Sequence, residues 1–395
     1  MREAASAGPG SWGPGSSNGD DSACRFPHPD PLPEGEGEGS IPTRYGPLHL
    51  SGRDPDLIEG FLRRYGEWGW DEACFIASIL PDGARVLDIG AFLGTFGLGV
   101  SLLRPLAGLC AVEANPTLLP CLAANLRLAR CPAVAVEAMV AAPGALPRPG
   151  AAPAGNAGAA SFALDAQNDP VCDPVPAPAP ARALTLDHLR AAHGPFDLIK
   201  LDTEGMEAEI LRSDAAALAG GGTALWVECN EEPRALDLCA LLLDWGLEVH
   251  YFAAPSHNPD NHGRDSVPVL PWAYEAGLLA APRRTPRLDP DLRRHHCILQ
   301  RIGSVAELEE ALWRTPRWGM ADWPVDDPAA LAALAGRTIR NQPRSGFLRS
   351  AAPFGSRDNE MMWQRLVVAE ARAAAAEARL AGPGQPRPGA SLPET

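Results

Sequence analysis

The sequence predicts an α/β fold, an open parallel sheet wound with helices on both faces, and three observations carry that prediction. Short apolar runs at 86–89, 109–113, 133–138, 196–201, 224–229 and 247–252 read as strands, and segments of helical spacing such as 118–129 and 234–243 lie between them. The first run passes into a glycine bend, VLDIGAFLGTFG at 86–97. Two of the runs end on an acid, Glu113 and Asp202, at the carboxyl ends of strands where open α/β sheets bind their ligands.

The bend specifies a nucleotide cradle. Gly90 and Gly94 turn a buried strand into a helix, and a helix start offers N–H groups without partners inside the helix. Asp88, at the tip of that strand, is placed to accept hydrogen bonds from a ligand. In the dinucleotide fingerprint GxGxxG the second glycine lets the backbone approach a pyrophosphate. Here that position is Phe92, so a pyrophosphate is a poor guest. S-adenosylmethionine (SAM), which has no phosphate and carries a positive sulfonium, suits a site rich in carboxylates. Glu113 lies 23 residues beyond Gly90, close to the spacing of about 20 at which an acid binds the ribose hydroxyls. Asn115 is assigned to the cofactor with it. A solvated acid at a strand end is the plainer alternative.

Composition narrows the function classes. The net charge of −15 argues against a nucleic-acid partner, which calls for clustered Lys and Arg. With 46% hydrophobic residues there is ample material for a core. Nine cysteines occur without a CxxC pair, and Cys110, Cys229 and Cys297 sit in apolar runs as small buried side chains do. A reducing cytoplasm is expected, with neither a secretory leader nor a membrane span, since the most apolar stretch is broken by Arg104 and Pro105.

Taken in order, residues 1–47 are rich in Gly, Ser, Pro and Glu and are expected to be disordered. A domain over 48–303 follows. Its first part, 54–80, carries helical apolar spacing with Trp68 and Trp70, which are core residues on the plainer reading and pocket residues on the sharper one. Residues 141–182 form a Pro/Ala-rich insert, in which Asn156, Gly158 and Ser161 could close over a ligand. The fourth strand ends in DTEGME, with Asp202, Glu204 and Glu207 close together. Clustered acids repel one another and are commoner where a ligand needs them, although acids at a helix start also complement its dipole. Residues 253–294 are expected to be a long loop or lid containing His257 and His262, before a last strand at 296–302. An irregular extension over 304–357, an Ala-rich helix over 358–381 and a disordered tail over 382–395 complete the chain. Self-association through that helix is one use for it, and a fraying surface helix the plainer one.

Read together, LDIGAFLGTFG, AVEANP, LTLDHL and FDLIKLDTEGMEAEILR resemble the FkbM family of SAM-dependent methyltransferases over roughly residues 65–230, with 197–212 the most specific block. The resemblance implies the class I, Rossmann-like methyltransferase fold: a seven-stranded sheet with helices on both faces and the last strand antiparallel. It also implies methyl transfer from SAM, typically to a hydroxyl oxygen. Carried over residue by residue, it assigns Asp88, Gly90 and Gly94 to the cofactor loop, Glu113 to the ribose, and Asp202, Glu204, Gly205 and Glu207 to the acidic block. Relatives usually have Asn where this chain has Phe92, and Pro where it has Ala114.

Methyl transfer needs alignment of acceptor and sulfonium, and a base for the hydroxyl proton. Asp202, Glu204 and His257 are the candidates in that order, and no ligand spacing commits the sequence to a metal. The acceptor is expected to be a small molecule or glycan, with the hydroxyl on a sugar, glycan or secondary metabolite. The alternatives are an NAD-linked oxidoreductase on the same fold and a non-catalytic scaffold.

Overall fold

In the computed structural model, residues 39–52, 56–146, 150–152, 175–230, 233–268 and 274–315 are described. The expectations for residues 1–38, for Asn156, Gly158 and Ser161, and for the 358–381 helix and its tail lie outside these residues.

A hairpin of β1 (Ser40–Thr43) and β2 (Gly46–His49) precedes helices α1 (Leu57–Tyr65) and α2 (Trp70–Ile79). The α/β core opens with β3 (Ala84–Ile89), α3 (Thr95–Leu103), β4 (Leu106–Glu113), α4 (Leu119–Asn125) and β5 (Ala133–Glu137). Two short pairs follow: β6 (Met139–Val140) lies parallel to β9 (Ala183–Leu184), and β7 (Gly150–Ala152) antiparallel to β8 (Val175–Ala177). The second half holds α5 (Leu186–His193), β10 (Leu198–Leu201), α6 (Glu207–Ser213), α7 (Ala215–Leu218), β11 (Ala224–Glu228), α8 (Pro233–Asp244) and β12 (Val249–Pro255). It closes with β13 (Tyr274–Ala280), α9 (Pro290–Arg294), β14 (Ile298–Ile302) and α10 (Val305–Arg314).

Eight strands form one sheet in the order β14-β12-β13-β11-β10-β3-β4-β5. Strands β5, β4, β3, β10 and β11 are parallel, and β13 is inserted antiparallel between β11 and β12. This is the class I methyltransferase arrangement, extended at one edge by β14, which pairs antiparallel with β12. The strand order reverses between β3 and β10, and a crevice opens above such a switch point.

Side-chain alternation divides the core in two. Leu87 and Ile89 of β3 join Ile199, Leu201, Leu225 and Val227 under α5, α6, α8 and α10. Val86 joins Leu198, Ala224, Trp226 and Phe252 under α2 and α3. On that second face Phe75 stacks on Phe252 with ring centroids 4.0 Å apart.

Four expectations need correction. The N-terminal segment expected to be disordered contains the β1–β2 hairpin, because Tyr45 and Leu48 are fully buried against α1, α2 and α3. The Pro/Ala-rich insert contributes the short pairing of β7 with β8. The expected lid over 253–294 contains β13 and α9, and the sheet therefore has one strand more than expected. The extension from 304 begins as helix α10, capped by Ser304, with Leu308 and Leu312 buried in the core. Cys110, Cys229 and Cys297 are buried thiols outside any disulfide among the described residues, as their apolar settings suggested.

Candidate active site at the carboxyl rim of the sheet

At the switch point, the glycine bend lies against the end of β10. Gly90 has φ +76°, and a Cβ there would stand 1.7 Å from the carbonyl oxygen of Asp202. Its glycine is required by the neighbouring strand's backbone. Gly94 begins α3 with φ 87° and has no side chain of its own to cap the first turn. Between them Phe92 has φ 50°, a conformation Asn tolerates better than other residues with a Cβ.

Glu113 closes the bend from β4. Its Oε2 accepts from the Phe92 amide at 2.8 Å and its Oε1 from the Asn115 amide at 2.7 Å. The side chain is 7% exposed, and burial raises its pKa while the two amides oppose that shift. Each oxygen keeps a further lone pair. Asn115 is fully buried, and its Oδ1 accepts from the amide and hydroxyl of Thr117, an Asx turn leading into α4. Its Nδ2 has no hydrogen-bond partner among the described residues.

Asp88, expected to meet the ligand directly, is instead completely buried. The β3–β10 register sets it opposite Lys200 on one face of the sheet, and Lys200 Nζ lies 3.5 Å from Asp88 Oδ1 and 3.0 Å from Asp202 Oδ2. Burial would depress the Lys200 pKa, but Asp202, Asp88 and Glu72 outweigh it and hold the ammonium charged. Burial raises Asp88, against the pull of Lys200. Sequence reasoning passed over Lys200, although a lone lysine inside an apolar strand was a visible signal.

The acidic block separates into roles. Glu207 Oε1 accepts from the Thr203 amide and hydroxyl, both at 2.8 Å, and from the Gly205 amide at 3.1 Å, so it shapes the turn. Asp202 remains 35% exposed, and Glu204 has φ 54°. Glu228, at the tip of β11, joins them: one carboxylate oxygen from each of Asp202, Glu204 and Glu228 lies within 4.8 Å of the others. Burial and then the surrounding acids, Asp202 first, push Glu228 well above the usual carboxylate range. Its proximity was hidden in sequence because the two strand ends are over twenty residues apart.

His257 is engaged elsewhere. Its Nε2 lies 3.0 Å from the Asp265 carbonyl, and its ring meets Tyr65 edge-on. The loop that holds it is tied to the end of α1 by Gly263 N–H to the Tyr65 carbonyl at 2.7 Å and by the Arg64–Asp265 ion pair. A concavity lined by Trp68, Trp70 and Glu72 adjoins the rim. A larger cavity, about 280 Å³, lies at the opposite ends of the strands around Arg85, Gly108 and Pro132, away from this chemistry.

Sheet order and the glycine bend after the first core strand are those of the class I methyltransferase fold. Residues 88–235 match the family model described as the methyltransferase FkbM domain. No curated protein matches the sequence. Among solved structures, the chain is similar to the methyltransferase FkbM from Methylobacillus flagellatus at 16% identity and TM-score 0.32, covering 54% of this chain and 48% of that one. It therefore spans about half the length of that relative. It is also similar to the precorrin-6y C5,15-methyltransferase from Geobacter metallireducens, at 18% identity and TM-score 0.31 over 53% of this chain and 86% of that one. Likeness to an O-methyltransferase from Bacillus cereus in complex with SAH is 13% identity and TM-score 0.31, covering 58% and 83%.

Proposed function

We propose that the chain transfers the methyl group of SAM to a hydroxyl oxygen of a sugar, glycan or secondary metabolite. The observation that carries this reading is the joining of the bend to Glu113 through the 2.8 Å bond from Phe92 N–H. A carboxylate with lone pairs to spare and a buried unpaired amide donor on Asn115 stand side by side there. Ribose hydroxyls can donate to the first, and a ligand acceptor atom can remove the cost of the second. The carboxylates of Asp88, Glu113 and Asp202 disfavour a pyrophosphate, which counts against a dinucleotide.

SAM supplies an electrophilic methyl on a sulfonium. The chain's own residues supply position and a proton acceptor. Asp202, the more exposed carboxylate at the switch point, takes the hydroxyl proton, and Lys200 holds it in place from below at 3.0 Å. Glu204 is the second candidate. His257 falls behind both, because its ring is committed to Asp265 and Tyr65.

Titration with SAM by calorimetry, on the native chain and on Glu113→Ala, checks the cofactor assignment; equal affinities would remove the ribose role. Transfer of label from SAM into a fractionated cell extract checks the reaction. Label on nitrogen or carbon, or none, would overturn the oxygen acceptor.

A further inference from the structure

The concavity beside the rim is lined by the end of β12, the start of β13 and the chain entering α2. Four carboxylates face it, Glu67, Asp71, Glu72 and Glu275, together with the indoles of Trp68 and Trp70, and its lining contains no Lys, Arg or His. Its inner space of about 20 Å³ takes one water-sized group.

Most of these carboxylates already have a donor. Asp71 Oδ1 is 2.9 Å from His295 Nδ1, the Ser256 hydroxyl reaches Glu275 at 3.3 Å, and Trp226 Nε1–H donates to Glu72. Glu67 differs. Its Oε2 pairs with Arg44 and accepts from the His262 amide, but Oε1 has no hydrogen-bond partner among the described residues, on a side chain only 5% exposed. A buried acceptor left unmatched costs stability, and a ligand donor would restore it. The guest that fits is small, rich in donors and positive. Indole walls favour a cation as well, and the ring of Trp70 already carries Arg44 at 4.9 Å.

We propose that this concavity is an ammonium subsite, holding a protonated primary amine of the acceptor whose hydroxyl is methylated, as in an amino sugar. The proposal rests on the methyltransfer reading for its place in the reaction, since Glu72 lies within electrostatic reach of Lys200, Asp202 and Asp88. Burial pushes Glu67 and Glu72 up to about 7, and a bound ammonium displaces those protons. The charged groups facing Glu67 are Arg44 and Asp71, and those facing Glu72 are Lys200, Asp202 and Asp88.

The test titrates the full chain, with and without saturating S-adenosylhomocysteine, against propylammonium and against 1-propanol in a calorimeter. The amine is expected to bind at least tenfold more tightly than the alcohol, more tightly at pH 8 than at pH 6, and with release of protons to the buffer. Glu67→Gln is expected to weaken the amine at least fivefold while leaving S-adenosylhomocysteine affinity unchanged. Glu275→Gln, at the start of β13, is the second variant and should weaken it as well. Equal binding of amine and alcohol, no binding of the amine, or indifference to both variants would overturn the subsite and leave a cavity for water. Failure to bind S-adenosylhomocysteine, or to transfer label from SAM while the amine still binds, would instead strike the methyltransfer reading.

Discussion

The two halves of the sheet's rim treat their carboxylates differently. On the β3–β4 side Glu113 has two backbone amides and Asp88 has Lys200. On the β10–β11–β13 side Glu228 sits among other acids, and Glu67 keeps an oxygen without a partner among the described residues. The first side uses charge to fasten one strand end to the next. The second leaves charge unmatched, which costs stability unless a proton or a ligand arrives. In the first half the carboxylates are matched within the fold, and in the second they are left for a proton or a ligand to match.

The comparison can be broken most severely at the seam. Gly90→Ala places a Cβ 1.7 Å from the Asp202 carbonyl at a positive φ, and a loss of about 4 kcal/mol is expected. Calorimetric melting would read it. Lys200→Met leaves Asp88 buried and unpaired, at a cost of about 3–5 kcal/mol. Adding Asp88→Asn should recover much of that loss, and a double variant no more stable than the single one would mean that Lys200 serves Asp202 alone.

Glu113→Gln keeps the shape but sets an amide donor against a backbone N–H. About 2 kcal/mol of stability is expected to go, together with at least tenfold in affinity for S-adenosylhomocysteine.

Acidity sharpens the contrast without mutation. Glu67 and Glu72 have folded pKa values of about 7 against 4.5 for the free group, so between those values the folded chain holds more protons than the unfolded one. Stability is then greatest below about pH 4.5 as far as these groups decide it, and falls as pH rises through 7. A melting temperature that declines from pH 5.5 to pH 8, with a shallower decline in Glu67→Gln, is the expected record. The smallest effect belongs to the periphery: Asp82 is 69% exposed in its pair with Arg104, and Asp82→Ala should change stability by under about 0.5 kcal/mol.

Much of this site was legible in the chain. Gly90, Gly94, Glu113 and Asp202 lie at the turns and strand tips that their spacing predicted. Strand β13 was not legible. Lying between β11 and β12 with both faces covered, EAGLLA needs no polar alternation, and Gly277 is there because a Cβ would stand 2.4 Å from the Trp226 ring. The β1–β2 hairpin is too short to carry a period, and it persists through the burial of Tyr45 and Leu48.

By itself the sequence determined the strand-and-helix alternation, the bend and the acids at the strand ends, because period, glycine and terminal charge are local properties of a chain. Only the tertiary structure decided which of those acids would meet a partner. Lys200 reaches Asp88 through strand register, Glu228 reaches Asp202 through sheet order, and Glu67 lines a concavity with Trp70 and Glu275 because α2 packs beside the ends of β12 and β13. The free energy of a carboxylate depends on what surrounds it in space, and neighbours in space are set by folding.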